Sequence, residues 1–213
     1  KTDQAIRAKA FDISEHFRQY WQGTGFKAPL VAPSKAAAVR FKEVLDEIGH
    51  VSSAIVISPP NENEGNEEVD QESKDLVRRF WSQMMARYKT EDEYNRQIID
   101  AFKGSGDPEI LIVVSKLLTG FDAPRNTVLY VCKSLKEHNL LQAIARVNRL
   151  YEDGGTEKQF GFIIDYEGLL GELDSGVELI PIVHLRDTDA GSGPRGLDEV
   201  RNAESARSRS RSI

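Results

Sequence analysis

The sequence predicts an α/β protein of three layers, in which helices cover both faces of a mostly parallel sheet. Residues 109–114, 127–131 and 160–164 are apolar at almost every position. Such continuous runs are typical of strands that are covered on both faces. Two further strand-like segments, 27–32 and 51–58, alternate with segments of helical periodicity. This alternation indicates parallel strands joined by crossover helices.

Helices are predicted from apolar residues spaced three or four positions apart and from capping residues at their starts. Ser34 follows the first strand and is a good N-cap for the helix predicted over 35–48. Thr90, with Glu93 three residues later, forms a capping-box pattern. The predicted helices cover 2–21, 35–48, 73–88 and 90–102, followed by a last helix that carries Gln142, Arg146 and Arg149.

Composition limits the classes of protein to which the chain can belong. Its 213 residues, 39% apolar and 29% charged, suit one substantial soluble domain with a core, or one domain and a tail. The net charge of −6 excludes a generally basic nucleic-acid coat, so any phosphate binding must be local. Cys132 is the single cysteine, which suits a reducing cytoplasm. No apolar run approaches the roughly 20 residues of a membrane helix, and we expect no membrane contact.

The chain divides at about residue 175. Residues 1–175 carry the strand and helix patterns, whereas 176–213 read as an irregular extension that ends in a Ser-Arg repeat and need not be native. Within the first part, residues 59–74 are acidic and nearly without apolar side chains, which predicts a solvated loop. The chain starts at Lys1, without Met, inside a helical pattern, and we expect it to be a fragment of a longer protein.

The last helix carries the clearest chemical pattern. Gln142, Arg146 and Arg149 stand at i, i+4 and i+7, so two guanidinium groups and an amide are expected on one helical face. Guanidinium groups match phosphate oxygens in shape and stay charged at any useful pH. Exposed arginines in surface salt bridges remain the alternative on this helix alone.

A second group of polar residues follows the buried strand at 109–114. Ser115, Thr119, Gly120 and Asp122 could offer hydroxyls and amides to phosphate and a carboxylate to a ribose hydroxyl. Ser34 would add a helix N-terminus. Because ligands of such sheets bind at the carboxyl ends of the strands, we expect this loop and the arginine helix to face that one edge.

Other sites are excluded by their patterns. No Gly-Lys-Ser/Thr phosphate loop occurs. The acidic sequence over 46–50 is spaced differently from a helicase Asp-Glu-x-His box and falls at a predicted helix end. The four histidines are scattered, so no metal site is predicted.

Three stretches resemble motifs of the second RecA-like lobe of superfamily-two helicases. VVSKLLTGFDAP resembles motif V, Gln142-x-x-Ala-Arg146-x-x-Arg149 resembles motif VI, and residues 30–44, with Ser34, resemble motif IV. More closely, LLTGFDAP, LLQAIARVNRLY and FGFIIDYEGLL are similar to the motor (R) subunit of type I restriction–modification enzymes. The resemblance implies a RecA-like three-layer domain over residues 1–175.

The resemblance also implies roles for the candidate residues. Arg149 would be the arginine finger on the transferring γ-phosphoryl group, with Arg146 sharing that contact and Gln142 positioning it. Gly120 would meet the nucleotide, and Asp122 would contact its ribose or couple the site to DNA. The residues that would hold DNA backbone phosphates, without reading sequence, are Ser34, Ser115 and Thr119.

The implied cofactors and partners belong to a larger machine. ATP and Mg²⁺ would be bound mainly by the first RecA-like lobe, which carries the Gly-Lys-Thr loop. The implied partners are double-stranded DNA, the first lobe and nuclease domain of the same parent chain, and methyltransferase and specificity subunits, in a bacterial or archaeal cytoplasm. Two alternatives remain open: the second lobe of a DNA-repair or remodelling helicase, and a non-catalytic RecA-like interaction module.

The purified chain is expected neither to hydrolyse ATP nor to cut DNA, because its sequence shows neither the Gly-Lys-Thr loop and Asp-Glu box of the first lobe nor the nuclease domain of the family. Phosphate release and plasmid nicking, each measured with and without DNA, test this expectation. Robust turnover by the chain alone would contradict the division of the site between two lobes.

Overall fold

A computed structural model describes residues 3–60, 71–114, 123–135, 137–153, 156–158 and 161–168. The helices are α1 Asp3–Tyr20, α2 Lys35–Ile48, α3 Gln71–Tyr88, α4 Glu91–Lys103 and α5 Glu137–Val147. The strands are β1 Ala28–Val31, β2 Ser53–Val56, β3 Ile110–Val113, β4 Val128–Val131, β5 Tyr151–Asp153, β6 Thr156–Lys158 and β7 Phe162–Asp165.

Five strands form a parallel sheet in the order β2-β3-β1-β4-β7. The predicted α/β class with a parallel sheet is therefore confirmed. All four residues of β3, and all four of β4, are buried, which explains their continuous apolar sequence. The antiparallel hairpin β5–β6 was not predicted. Its sequence signal is the Gly-Gly pair between the two strands.

The core consists of two apolar layers, one on each face of the sheet. Residues that alternate along a strand point to opposite faces, so Leu30 packs with α1, α2 and α3 whereas Val31 packs with α5. Leu129 and Tyr130 divide in the same way. Helices thus cover both faces, as the three-layer prediction requires.

The ends of α2 show how the sequence delimits a helix. Ser34 accepts a hydrogen bond from the Ala37 amide at 3.1 Å, as an N-cap does. Gly49 adopts a left-handed conformation, with φ of 72°, and donates its amide to the Leu45 carbonyl. The acidic sequence over 46–50 is therefore a helix terminus, as predicted. Thr90 likewise caps α4 by accepting from the Glu93 amide.

Two predicted features differ from the structure or lie outside it. Helix α3 begins at Gln71, so the last residues of the acidic segment are helical rather than part of a loop. Residues 61–70 and the predicted extension at 176–213 lie outside the described residues. A bilayer-crossing segment is not found among the helices of the described ranges.

Polar contacts tie α1 to the carboxyl end of the sheet. The His16 Nδ1 atom lies 2.8 Å from the Tyr130 hydroxyl, and the Tyr166 hydroxyl donates to Asp12. Lys9 forms an ion pair of 2.9 Å with Glu167. Burial lowers the pKa of the His16 imidazole to about 4 and raises the pKa of the Tyr130 hydroxyl well above its usual value. The folded protein therefore favours neutral His16.

His16 should make folding stability fall in mild acid. An imidazole in the unfolded chain has a pKa of about 6.5, and burial lowers that of His16 to about 4 in the folded protein, so between these values mainly the unfolded chain binds the proton. Stability is unaffected above pH 6.5 and is lost as the pH falls, by about 2 kcal/mol at pH 5 from this group alone. Urea unfolding at pH 7.5, 6 and 5 measures the loss. His16→Gln should flatten the curve, whereas an unchanged slope would contradict the assignment.

Candidate phosphate site at the end of helix α5

Helix α5 leaves the carboxyl end of β4 and runs back along the sheet. Its buried face packs on the strands through Leu140, Ala143, Ile144 and Val147. The other candidate positions are less buried: Gln142 and Arg146 are half-buried, and Arg149 is exposed. The helix therefore carries its candidate phosphate groups near or beyond its final turn.

The end of α5 lies at the amino edge of the sheet. The Lys158 ammonium donates to the Val147 carbonyl at 3.1 Å and to the Asn126 carbonyl at 2.5 Å. Asn126 stands two residues before β4 begins, and Gly161, immediately before β7, also meets Val147. These contacts place the Val147 end of α5 beside the beginnings of β4 and β7.

The expectation that the arginine helix faces the carboxyl edge was wrong. A helix that joins two parallel strands must run antiparallel to them, so its last turn reaches the opposite edge. Arg146 stands in that last turn. Ser34, by contrast, follows the carboxyl end of β1. The candidate residues therefore divide between the two edges of the sheet.

The prediction of one helical face for all three residues was also wrong. Helix α5 ends at Val147, so Arg149 lies two residues beyond it, whereas Gln142 and Arg146 remain four residues apart within it. In a longer helix the Val147 carbonyl would accept from the amide of residue 151. Here it accepts from Lys158, and strand β5 begins at Tyr151.

Lys158 is the principal residue of this site that sequence reasoning missed. Its side chain comes from the β5–β6 hairpin, is 5% exposed, and donates to three carbonyls, those of Pro124, Asn126 and Val147. An ammonium has three donors, so the three carbonyls match them. Burial, and secondarily the positive charge of Arg149, lower the pKa of Lys158 to about 8. The Arg149 guanidinium thus stands near this buried ammonium.

Gly161 fixes the same helix end from the sheet side. A Cβ atom at this position would lie 2.2 Å from the Val147 carbonyl oxygen and 2.5 Å from its carbonyl carbon. Real side chains do not approach a backbone so closely, and only glycine allows the contact. The end of α5 is therefore held between a glycine and a lysine.

Aromatic and cationic contacts continue along this edge. The Arg125 guanidinium lies 4.9 Å above the Tyr151 ring, and the centroid of that ring lies 6.4 Å from the centroid of the Phe26 ring in an edge arrangement. A second buried lysine, Lys27, donates to the carbonyl of Pro108 at 2.7 Å and to that of Gly106. Burial lowers the pKa of Lys27 as well.

The carboxyl edge holds the remaining candidates. Ser34 is exposed, and its oxygen accepts from Ala37, which leaves its hydroxyl hydrogen able to donate to a phosphate. Ser115, Thr119, Gly120 and Asp122 lie outside the described residues, and their roles stay predictions. The next residue, Ala123, is buried in the same core layer as α5.

Comparison with known proteins assigns the chain to a family. The family model described as type I restriction enzyme subunit R domain 3 matches residues 24–168. The chain belongs to this family. The matched range runs from the turn before β1 to three residues past the end of β7 and includes α5, Lys158 and Gly161.

Relatives of this R-subunit domain carry the same family name. A chain from Methanocaldococcus jannaschii, named as the type I restriction enzyme MjaVIIP endonuclease subunit, is 40% identical over 161 residues, which are 72% of this chain and 14% of that relative. The type I restriction enzyme SauCOLORF180P endonuclease subunit of Staphylococcus aureus is 33% identical over 201 residues, which are 87% of this chain and 21% of that relative. The chain thus spans a small part of each.

The solved structures that resemble this chain do so at low sequence identity and with TM-scores below 0.5. A fragment of an HsdR subunit of a type I restriction enzyme from Vibrio vulnificus YJ016 is 14% identical, with a TM-score of 0.46, over 86% of this chain and 33% of that one. The second domain of the DEAD-box helicase Mss116p, bound to an RNA duplex, is 13% identical, with a TM-score of 0.45, over 98% of this chain and 73% of that one.

Gly161→Ala is expected to destabilise this R-subunit domain by about 1–3 kcal/mol or more, because the added Cβ forces the sheet and the end of α5 apart. Gly106→Ala is the matched control, since a Cβ there meets nothing within 4 Å, and its effect should stay within about 0.5 kcal/mol. Urea denaturation of both variants provides the measurement. Equal stability of the two would contradict the close approach.

Proposed function

We propose that this chain is the second motor lobe of a type I restriction enzyme R subunit, and that Arg149 contacts the γ-phosphate of ATP held by the first lobe. The observation that carries the proposal is the placement of Arg149. It is exposed, yet it follows a helix end that Lys158 and Gly161 hold in place. An arginine that must reach a phosphate across a cleft needs this combination of access and fixed origin.

Arg146 and Gln142 support the same site. Both stand on α5 and are half-buried, so their side chains start from the packed helix rather than from a loop. Arg146 would share the phosphate contact and Gln142 would position it. Arginine suits this chemistry because its guanidinium stays charged and offers paired donors to phosphate oxygens. The positive charge of the arginines therefore suits the negatively charged phosphate groups of the nucleotide.

The described residues do not fit a magnesium site. They contain no group of three or more His, Cys, Asp or Glu side chains that could hold a metal ion. Mg²⁺ prefers carboxylate, water and phosphate oxygens. We therefore assign none of these side chains to Mg²⁺, which we place with ATP in the first lobe of the parent chain.

DNA contacts belong to the carboxyl edge in this proposal. Ser34 would donate its exposed hydroxyl to a backbone phosphate of double-stranded DNA, and Ser115 and Thr119 would act in the same way. Contacts to the phosphate backbone do not depend on sequence, which suits translocation. Within the complete enzyme the lobe would work with the nuclease domain of its parent chain and with methyltransferase and specificity subunits in the cytoplasm.

Two other functions were considered. Membership of the R-subunit family favours a restriction motor over the second lobe of a repair or remodelling helicase. A non-catalytic interaction module would keep the same fold without using Arg149. The effect of removing that guanidinium separates this last possibility from the motor lobe.

Arg149→Ala in the parent R subunit is expected to lower DNA-dependent ATP turnover by roughly 10³-fold or more, the contribution of an arginine finger in well-studied NTPases. Steady-state phosphate release with plasmid DNA measures the effect. Arg96→Ala serves as the control because Arg96 is exposed on α4, which packs at the β2 edge rather than beside β4. Unchanged turnover in Arg149→Ala would favour the non-catalytic module.

A further inference from the structure

Lys158 joins two separate segments of the chain. Two of its three carbonyl partners belong to Pro124 and Asn126, which precede β4. The hydrogen bonds to these two carbonyls are 2.9 and 2.5 Å long. The third is Val147, at the end of α5 and 3.1 Å away. The lysine itself belongs to a third element, the β5–β6 hairpin. One buried ammonium therefore connects the approach to β4 with the end of α5.

One of the two connected segments leads to the proposed chemistry. The segment before β4 packs against the end of α5, since Ala123 is buried in the same apolar layer as Val147. Val147 in turn precedes Arg149 by two residues. A displacement of either segment would change the hydrogen bonds that Lys158 makes to the other.

The choice of a lysine is itself informative. Burying an ammonium is costly, and the cost is offset only while hydrogen-bond partners stay in place. An apolar side chain could fill the space without that dependence, but it would leave three carbonyls without these donors. The ammonium also stands at the negative end of the α5 dipole, where a cation is favoured. The buried Lys158 ammonium is therefore stable only while both segments keep their carbonyls in place.

We infer that Lys158 is a positioning residue for Arg149, because it ties the end of α5 to residues 123–126. Its hydrogen bonds hold the Val147 carbonyl beside the carbonyls of Pro124 and Asn126, and with it the origin of the Arg149 side chain. This inference rests on the proposed function, because it assigns Lys158 a role in the same reaction. Lys158 touches neither nucleotide nor DNA in this scheme.

The test compares two buried lysines in the parent R subunit. Lys158→Met keeps most of the length and the unbranched shape of the side chain and removes its donors. Lys27→Met is the matched control: Lys27 is fully buried at the same edge and also donates to backbone carbonyls, but these belong to Gly106 and Pro108. Lys158→Gln, which keeps two donors on a shorter chain, is measured alongside. The readouts are thermal unfolding and the kcat and KM of DNA-dependent ATP turnover.

Lys158→Met should lower kcat by at least about tenfold with a change in KM for ATP below about threefold, since the arginine is displaced while the first lobe still binds the nucleotide. Lys27→Met should lower the unfolding temperature and leave kcat within about threefold. The kcat of Lys158→Gln should lie between that of wild type and that of Lys158→Met.

Other outcomes overturn the inference in distinct ways. Equal losses of kcat in Lys158→Met and Lys27→Met would reduce Lys158 to a structural residue. So would a failure of both Lys158 variants to fold while Lys27→Met folds. Normal turnover in Lys158→Met beside an inactive Arg149→Ala would overturn the positioning role of Lys158 and leave the proposed function standing. An active Arg149→Ala would instead remove the proposed function.

Discussion

The central strands are covered on both faces, and this constraint determines where the polar groups of the protein can lie. With β3 and β4 fully buried, chemistry is restricted to the two edges at which the strands begin and end. A parallel sheet then sends each crossover helix back across the layer. Residues that start a helix, such as Ser34, stay at one edge, and residues that end a helix, such as Arg146, reach the other.

Two buried lysines maintain the edge at which α5 ends. Lys27 ties the beginning of β1 to the turn before β3, and Lys158 ties the beginning of β4 to the end of α5. Loops at a sheet edge expose carbonyls that no neighbouring strand satisfies, and a lysine can satisfy several of them at once. Aromatic rings around Tyr151 shield the same edge. The end of α5 therefore lies beside backbone carbonyls that already accept hydrogen bonds from Lys158.

Local sequence patterns predicted the elements well, and distant contacts explain what they missed. Helix α2 has the predicted bounds because its cap, Ser34, is next to it in sequence. The end of α5 was placed too late because the partner of the Val147 carbonyl is Lys158, eleven residues further along the chain. The sheet edge at which the arginines lie was also predicted wrongly, although the rule for crossover helices is sufficient to predict it. Gly161 carries no local signal, since its requirement arises only where sheet and helix meet.

The separation of Ser34 and Arg149 to opposite ends of the strands has a mechanical meaning. A four-residue strand is about 13 Å long. Under the proposed function the lobe would be a lever with a nucleotide at one end and DNA at the other. A tilt of the whole lobe about its middle would therefore move its two edges in opposite directions. Under that proposal, closure on the nucleotide at one edge and movement of DNA at the other would be one rigid rotation.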